Sequence, residues 1–164
     1  MEHLWAPWRI EYILNSDKED GCIFCNRLGR DDDDTDLIVY RGREAFIIMN
    51  KFPYNNGHVM VVPNRHIAEF CDLSPTEHTE MGELISLSIS ALKSSMNPHG
   101  FNIGMNLGRV SGAGIEDHLH YHIVPRWDGD TNFMPIIGGT KVVSEGLRES
   151  YQKIKEAVKE ILGE

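Results

Sequence analysis

Asp117-His118-Leu119-His120-Tyr121-His122-Ile123-Val124-Pro125 alternates three histidines with apolar residues over a stretch of strand-forming composition. In an extended chain, positions two apart share a face. The spacing therefore predicts a strand that sets His118, His120 and His122 in one row and turns Leu119, Tyr121 and Ile123 into the core. Three imidazoles on one face are costly in a packed interior unless each finds a partner. Three readings fit such a row. It is a structural set of hydrogen-bonded rings, a three-histidine catalytic metal site, or a neutral imidazole that attacks phosphorus while its neighbours orient it or handle the leaving oxygen.

Upstream, Leu37–Tyr40 and Ala45–Met49 read as strands around the turn-like Arg41-Gly42-Arg43, and His58–Pro63 reads as a buried strand closed by proline. Lys51–Gly57 between them is a loop rich in Pro and Asn. Ser74-Pro75-Thr76-Glu77 has the form of a helix start: serine caps, proline suits the first helical position, and Glu77 completes a capping box. Met81, Leu84, Ile85, Ile89 and Leu92 follow at helical spacing, and Asn97-Pro98-His99-Gly100 stops the helix. A strand over Phe101–Leu107 and a glycine-rich loop, Gly108–Gly114, lead into the histidine row. A last helix starts near Ser144 with Leu147, Tyr151, Ile154, Val158 and Ile161 on one stripe. Few of the strands are separated by the helical crossovers that a parallel sheet needs, so the class is α+β with a mainly antiparallel sheet.

No repeat or long linker divides the 164 residues, which predicts a single domain over 1–164 with an N-terminal segment (1–20) and a C-terminal helix (144–164). The N-terminal segment carries Trp5, Trp8 and Tyr12 and is expected to pack on the body or on a partner subunit. Sixteen Lys and Arg against 25 Asp and Glu give a net charge of −9, which disfavours general nucleic-acid binding by a basic face but leaves room for a small anion in a pocket of reversed sign. No apolar run approaches the ~18–20 residues that span a bilayer. The first residues lack the unbroken apolar segment of a signal peptide, so a cytoplasmic location is expected. Asp31-Asp32-Asp33-Asp34 with Asp36 reads as a solvated loop. Cys22-Ile23-Phe24-Cys25 suits two thiolate ligands of one metal or a redox pair, and Cys71 reads as a small core residue.

His-Leu-His-Tyr-His-Ile-Val at 118–124 resembles the signature of the histidine triad family. The resemblance extends to Asn50…Pro53…Asn55-Asn56-Gly57-His58-Val59-Met60-Val61-Val62-Pro63…His66 and to the Cys22–Cys25 start, covering roughly residues 20–125. The flanking segments are most similar to the bacterial and archaeal branch that includes diadenosine tetraphosphate phosphorylases. The resemblance implies a sheet of about five antiparallel strands with one long helix and a C-terminal helix, assembled as a homodimer. It implies nucleotide transfer or hydrolysis at the α-phosphate of a dinucleoside polyphosphate, with adenine nucleotides as substrates.

Position by position, His120 matches the nucleophile that takes the nucleotide covalently, His122 the residue near the scissile bridging oxygen, and His58 a further histidine close to the triad. Asn50 matches a ribose contact, Ile23 and Phe24 the walls of a purine pocket, and Asn106 a phosphate contact. Backbone N–H groups of the glycine loop, Gly112 and Gly114 among them, suit a phosphate cradle, and Lys51, Arg109 and Arg126 are candidate counter-charges. Members with a Cys-x-x-Cys start resemble galactose-1-phosphate uridylyltransferases, which implies a structural zinc on Cys22, Cys25, His66 and His118 and no organic cofactor. The rival readings are unmetallated core thiols and a His118 bonded only to backbone. In function the rivals are hydrolysis of adenosine 5′-phosphoramidates or other mononucleotide conjugates, and a non-catalytic nucleotide-binding module. One departure bears on the acceptor: many hydrolases of the family carry a Gln four residues before the first triad histidine, where this sequence has Gly114.

Overall fold

In the computed structural model, residues 20–130 and 145–164 are described. Of the expected N-terminal segment only Asp20 is described, and the last helix, expected from near Ser144, begins at Leu147 behind the N-cap Gly146. Five strands form one antiparallel sheet: β1 (Ile38–Arg41), β2 (Ala45–Met49), β3 (Val59–Pro63), β4 (Gly100–Met105) and β5 (Tyr121–Arg126), in the order β1-β2-β3-β5-β4. The helices are α1 (Ile23–Leu28), α2 (Asp33–Asp36), α3 (Pro75–Met96) and α4 (Leu147–Leu162), with single 3₁₀ turns at Phe70–Asp72 and Arg109–Ser111.

The two faces of the sheet are covered differently, and this decides where the site lies. Leu37, Val39, Ile47, Met49, Val59, Val61, Leu119 and Ile123 pack under α3 and α4. The alternate residues Ile38, Phe46, Ile48, Met60 and Val62 form a smaller cluster with Phe24 of α1. Both faces of β2 and β3 are therefore buried, as their near-continuous apolar sequences require. Leu119 and Ile123 go to the α3 side, so the histidines between them turn to the α1 side.

α3 begins as its sequence dictates. The Ser74 hydroxyl accepts the Glu77 N–H, the Glu77 carboxylate accepts the Ser74 N–H, and Pro75 holds the first helical position. Twenty-two residues later Asn97 ends the helix in the left-handed region at φ +48°.

Several expectations change. His118 and His120 lie ahead of β5 rather than within it, since the chain bends through 114–118 before the ladder starts at Tyr121. The acidic run is not a solvated loop. Asp32 caps the short α2 by accepting the Thr35 N–H, Asp36 is buried, and the buried Tyr151 hydroxyl of α4 packs among Asp33 O, Asp34 Oδ1 and Ile38 O. Backbone carbonyls and carboxylates thus form an acceptor platform for α4, reinforced by Lys155 and Arg148. Cys71 is exposed, not core, and Ile161 at the end of the α4 stripe is 46% exposed because the stripe outruns the sheet. β4 covers Gly100–Met105 rather than Phe101–Leu107.

Candidate active site

The 50–58 loop, α1 and the bend before β5 converge on one cleft on the α1 face. It encloses about 740 Å³, the solvent at its open mouth included. Ile23, Asn50, Lys51, Asn106, Gly114, His120 and His122 line it, as the sequence predicts of a substrate pocket. Arg27, Phe52, Tyr54, Met60 and Ile115 also line it, and sequence reasoning missed them. Arg27 had a signal: it stands four residues after Ile23, one turn along a helix. Among the described residues no carboxylate lines the cleft, so a chain of net charge −9 holds a wall whose only fixed charges, Arg27 and Lys51, are positive.

Other expected contacts lie elsewhere. Phe24 is fully buried behind the wall, its ring centroid 5.0 Å from that of His120 and 5.4 Å from that of His118. It backs the histidines rather than facing a ligand, because β2 and β3 leave an apolar hole that an aromatic ring fills. Gly112 ends the Arg109–Ser111 turn at φ +85° and does not line the cleft, nor does exposed Arg109. Arg126 is engaged by Asp130 through a forked pair of bonds and is not a free counter-charge.

The hydrogen bonds fix every ring's proton. The Pro63 carbonyl only accepts, so His118 donates from Nε2 (2.9 Å) and its Nδ1 lone pair points to Cys22 and Cys25. His120 donates from Nδ1 to the His118 carbonyl (2.9 Å), which leaves Nε2 as a free lone pair. The Tyr54 N–H donates to His58 Nδ1 (3.0 Å), as does Asn50 Nδ2 (3.3 Å), so His58 carries its proton on Nε2 and donates it to His122 Nδ1 (2.9 Å). His122 then presents Nε2–H. Burial pushes His120 below the ordinary imidazole range, and burial followed by the charge of neighbouring His120 holds His122 at about 4. Both rings are neutral near pH 7. The His120 and His122 rings meet edge to face, with centroids 4.7 Å apart. A nucleophilic nitrogen and an N–H donor thus stand side by side, the pairing that displacement at phosphorus needs.

His118 leaves this pair and joins a second cluster. Cys22, Cys25, His66 and His118 bring one ligand atom each to within 4.8 Å of one another. Donors about 2.0–2.3 Å from one tetrahedral zinc lie about 3.3–3.8 Å apart. Cys22 Sγ–His118 Nδ1, Cys25 Sγ–His66 Nδ1 and Cys25 Sγ–His118 Nδ1 measure 3.3, 3.4 and 3.6 Å. The donor set and its spacing fit zinc, and a four-ligand set leaves no open position. Burial lowers His118 to about 4, in keeping with the neutral ring that a metal ligand must be.

A family model described as HIT domain matches residues 32–129. The chain belongs to the histidine triad family. A relative named AP-4-A phosphorylase in Mycobacterium tuberculosis is 39% identical over 158 residues, 92% of this chain and 80% of that protein. The asymmetrical bis(5′-nucleosyl)-tetraphosphatase of Schizosaccharomyces pombe is 29% identical over 93 residues, 57% of this chain and half of that protein. Among solved histidine triad structures, a zinc-bound protein from Mycobacterium smegmatis matches with a TM-score of 0.71 at 23% identity, covering 87% of this chain and 96% of that one. It establishes the shared fold. The Mycobacterium tuberculosis and Schizosaccharomyces pombe relatives are named as enzymes, and this histidine triad protein is an enzyme of the same family.

Proposed function

We propose that the protein cleaves dinucleoside polyphosphates, such as diadenosine tetraphosphate, at the α-phosphate through a nucleotidyl intermediate on His120. The observation that carries this reading is the proton arrangement of the paired rings, supported by the names of the relatives. His120 Nε2 forms a bond to the α-phosphorus while the bridging P–O bond breaks. The electron pair leaves on the bridging oxygen, whose developing charge accepts a hydrogen bond from the His122 Nε2–H. His58 keeps His122 in the donating tautomer, and Asn50 and the Tyr54 N–H keep His58. In the second half, an acceptor oxygen attacks phosphorus, the P–N bond breaks and its electron pair returns to His120 Nε2, restoring the neutral ring; the proton of a water acceptor leaves to solvent, and a phosphate dianion attacks through an unprotonated oxygen. Water gives a nucleoside monophosphate and phosphate gives a diphosphate. Gly114 brings no side-chain amide to the cleft to hold water, which favours phosphate.

Cys22, Cys25, His66 and His118 would hold zinc, and a zinc there would tie α1 and the His66 loop to the start of the triad, where the His118 carbonyl takes the His120 Nδ1–H. Its contribution is stability, and no step of the reaction uses it. The protein acts as a homodimer, for which the edge of β4, unpaired among the described residues, offers a surface with Ile103 exposed on it and Leu107 exposed just beyond; sedimentation at twice the chain mass checks this. Among the described residues no helix is long and apolar enough to cross a membrane, and the reaction is assigned to the cytoplasm, where nucleotides and reduced thiols coexist.

The test is product analysis on diadenosine polyphosphates with and without phosphate. The reading expects adenosine diphosphate only when phosphate is present, and a loss of at least about 10³-fold in His120→Ala. Retained activity in His120→Ala, or binding of nucleotide with no turnover, would sink it.

A further inference from the structure

Arg27 stands out against the other cations of the site. It is half-buried on the cleft wall, and its guanidinium has no hydrogen-bond or ion-pair partner among the described residues. Most arginines of the molecule are engaged: Arg41 by Asp33, Arg65 by Glu77, Arg126 by Asp130. A guanidinium partly removed from water with no partner at hand is a donor fork awaiting acceptors.

Its place in the cleft says which part of a ligand it meets. α1 flanks His120, through the Phe24 ring 5.0 Å away. The 50–58 loop flanks His122, with Tyr54 at 5.7 Å and His58 at 5.1 Å between ring centroids. On the proposed function, on which this inference rests, the leaving group departs on the His122 side. The α1 side therefore holds the nucleotide that stays on His120. Ile23, one turn before Arg27, joins Met60 and Ile115 as the apolar surfaces there, suited to the flat face of a base. Arg27 then stands where a base edge ends.

The wall is rich in donors. The Asn50 amide, the obvious reader of an adenine edge, is already committed: its Oδ1 accepts the Phe52 N–H at 2.9 Å and its Nδ2 faces His58. With no carboxylate on the wall, the neutral Asn106 amide and Tyr54 hydroxyl are the side-chain acceptors left for the exocyclic amino group of adenine, while Arg27 is the charged donor. Guanine and hypoxanthine instead offer O6 and N7 side by side, the pair that an arginine fork meets with two bonds, whereas adenine opposes N6–H₂ to one arm of that fork.

We propose that Arg27 reads the base of the retained nucleotide and makes the site favour 6-oxopurine over adenine nucleotides. Adenine dinucleotides remain substrates, with guanine ones preferred.

The test is the affinity of the full-length protein for GMP, IMP, 7-deaza-GMP and AMP, in wild type, Arg27→Met and Arg27→Lys, alongside kcat/KM on diguanosine and diadenosine tetraphosphates. Wild type is expected to bind GMP and IMP about tenfold tighter than AMP, the low end of what a bidentate pair discriminates. 7-Deaza-GMP should lose most of that margin, and Arg27→Met should bring the GMP/AMP ratio within about twofold of unity, with Arg27→Lys recovering only part. The kcat/KM ratio should follow. Equal weakening of GMP and AMP in Arg27→Met would assign Arg27 to phosphate and overturn the proposal, as would a wild-type preference for AMP. Because 7-deaza-GMP and IMP probe the native chain, a variant that misfolds does not rescue or sink the claim. A guanine preference in a protein that forms no covalent nucleotide would refute the proposed function alone; turnover without base preference would refute this inference alone.

Discussion

At the scale of single residues, chemistry follows from which nitrogen holds each proton. His58 lies outside the triad, fully buried, and does not itself line the cleft; it stands behind Asn50, Tyr54 and His122, which do. Its part is to keep His122 Nδ1 occupied so that Nε2 carries the hydrogen. Replacing it with leucine would leave the Tyr54 N–H and His122 Nδ1 unpaired and free His122 to switch tautomer. His58→Leu is expected to lower kcat by about 10²-fold or more with a much smaller change in KM, as loss of a hydrogen bond to charge developing in the transition state usually does. His58→Gln, whose amide offers both a donor and an acceptor, should recover part of the loss. Steady-state kinetics on both variants checks this; a KM effect at constant kcat would reassign His58 to binding.

At the scale of elements, two short signals hold the scaffold of the site. Gly57 sits at φ +70°, immediately before His58, and a Cβ there would lie 2.7 Å from Met96 Sδ and 3.0 Å from Leu92 Cδ2. Gly57→Ala combines a left-handed backbone with this crowding against α3. It should cost about 1–3 kcal/mol in denaturant unfolding, together with a fall in kcat as His58 shifts. The second signal is the start of α3. Glu77 is buried, caps Ser74 and takes a forked bond from Arg65 at 2.9 and 2.7 Å. That bond holds its carboxyl at about 2, well below its unfolded value. A depressed folded pKa means the stabilisation is complete above about pH 4.5 and is lost as pH falls from there towards 2. Glu77→Gln should lower stability at neutral pH and flatten its decline across that acid window, measured as unfolding free energy against pH; an unaltered acid profile would contradict the role given to Glu77.

The α3 start, its apolar stripe and the Asn97 stop were legible because caps and periodicity are local. So was the antiparallel class. Residue spacing made the triad legible as a pattern, and its division of labour came only through the family resemblance. Strand alternation predicts three equivalent rings, whereas the bend before Tyr121 sends His118 to the cysteines and only His120 and His122 to the cleft. The Asp31–Asp36 run misled because charge suggests solvent, while its partners Tyr151, Arg148 and Lys155 lie more than a hundred residues away. Arg27 escaped notice because reading Cys22–Cys25 for metal chemistry hides the helix that the same residues begin.

At the scale of the whole molecule, the sheet is a partition. Its α3–α4 face carries the larger core, and its α1 face carries the cleft and the cysteine–histidine cluster. α1 has only six residues, too few to hold itself. Its anchorage is Phe24 and, on the reading above, a metal. One zinc per chain is expected by elemental analysis. Cys22→Ser should bind it markedly less, melt at lower temperature and lose activity through a looser cleft, with the stability loss reproduced in wild type by a strong chelator. A Cys22→Ser protein that is equally metallated and equally stable would remove zinc from the account.

The central claim is that His120 takes the nucleotide covalently. Mixing enzyme with diadenosine tetraphosphate, quenching within the first turnovers under conditions that preserve P–N bonds, and mapping the protein by mass gives the most direct answer. The account predicts an added nucleoside monophosphate on the peptide containing His120, absent in His120→Ala and discharged on adding phosphate. Full turnover with no adduct, or an adduct on His122 or His58 instead, would contradict it.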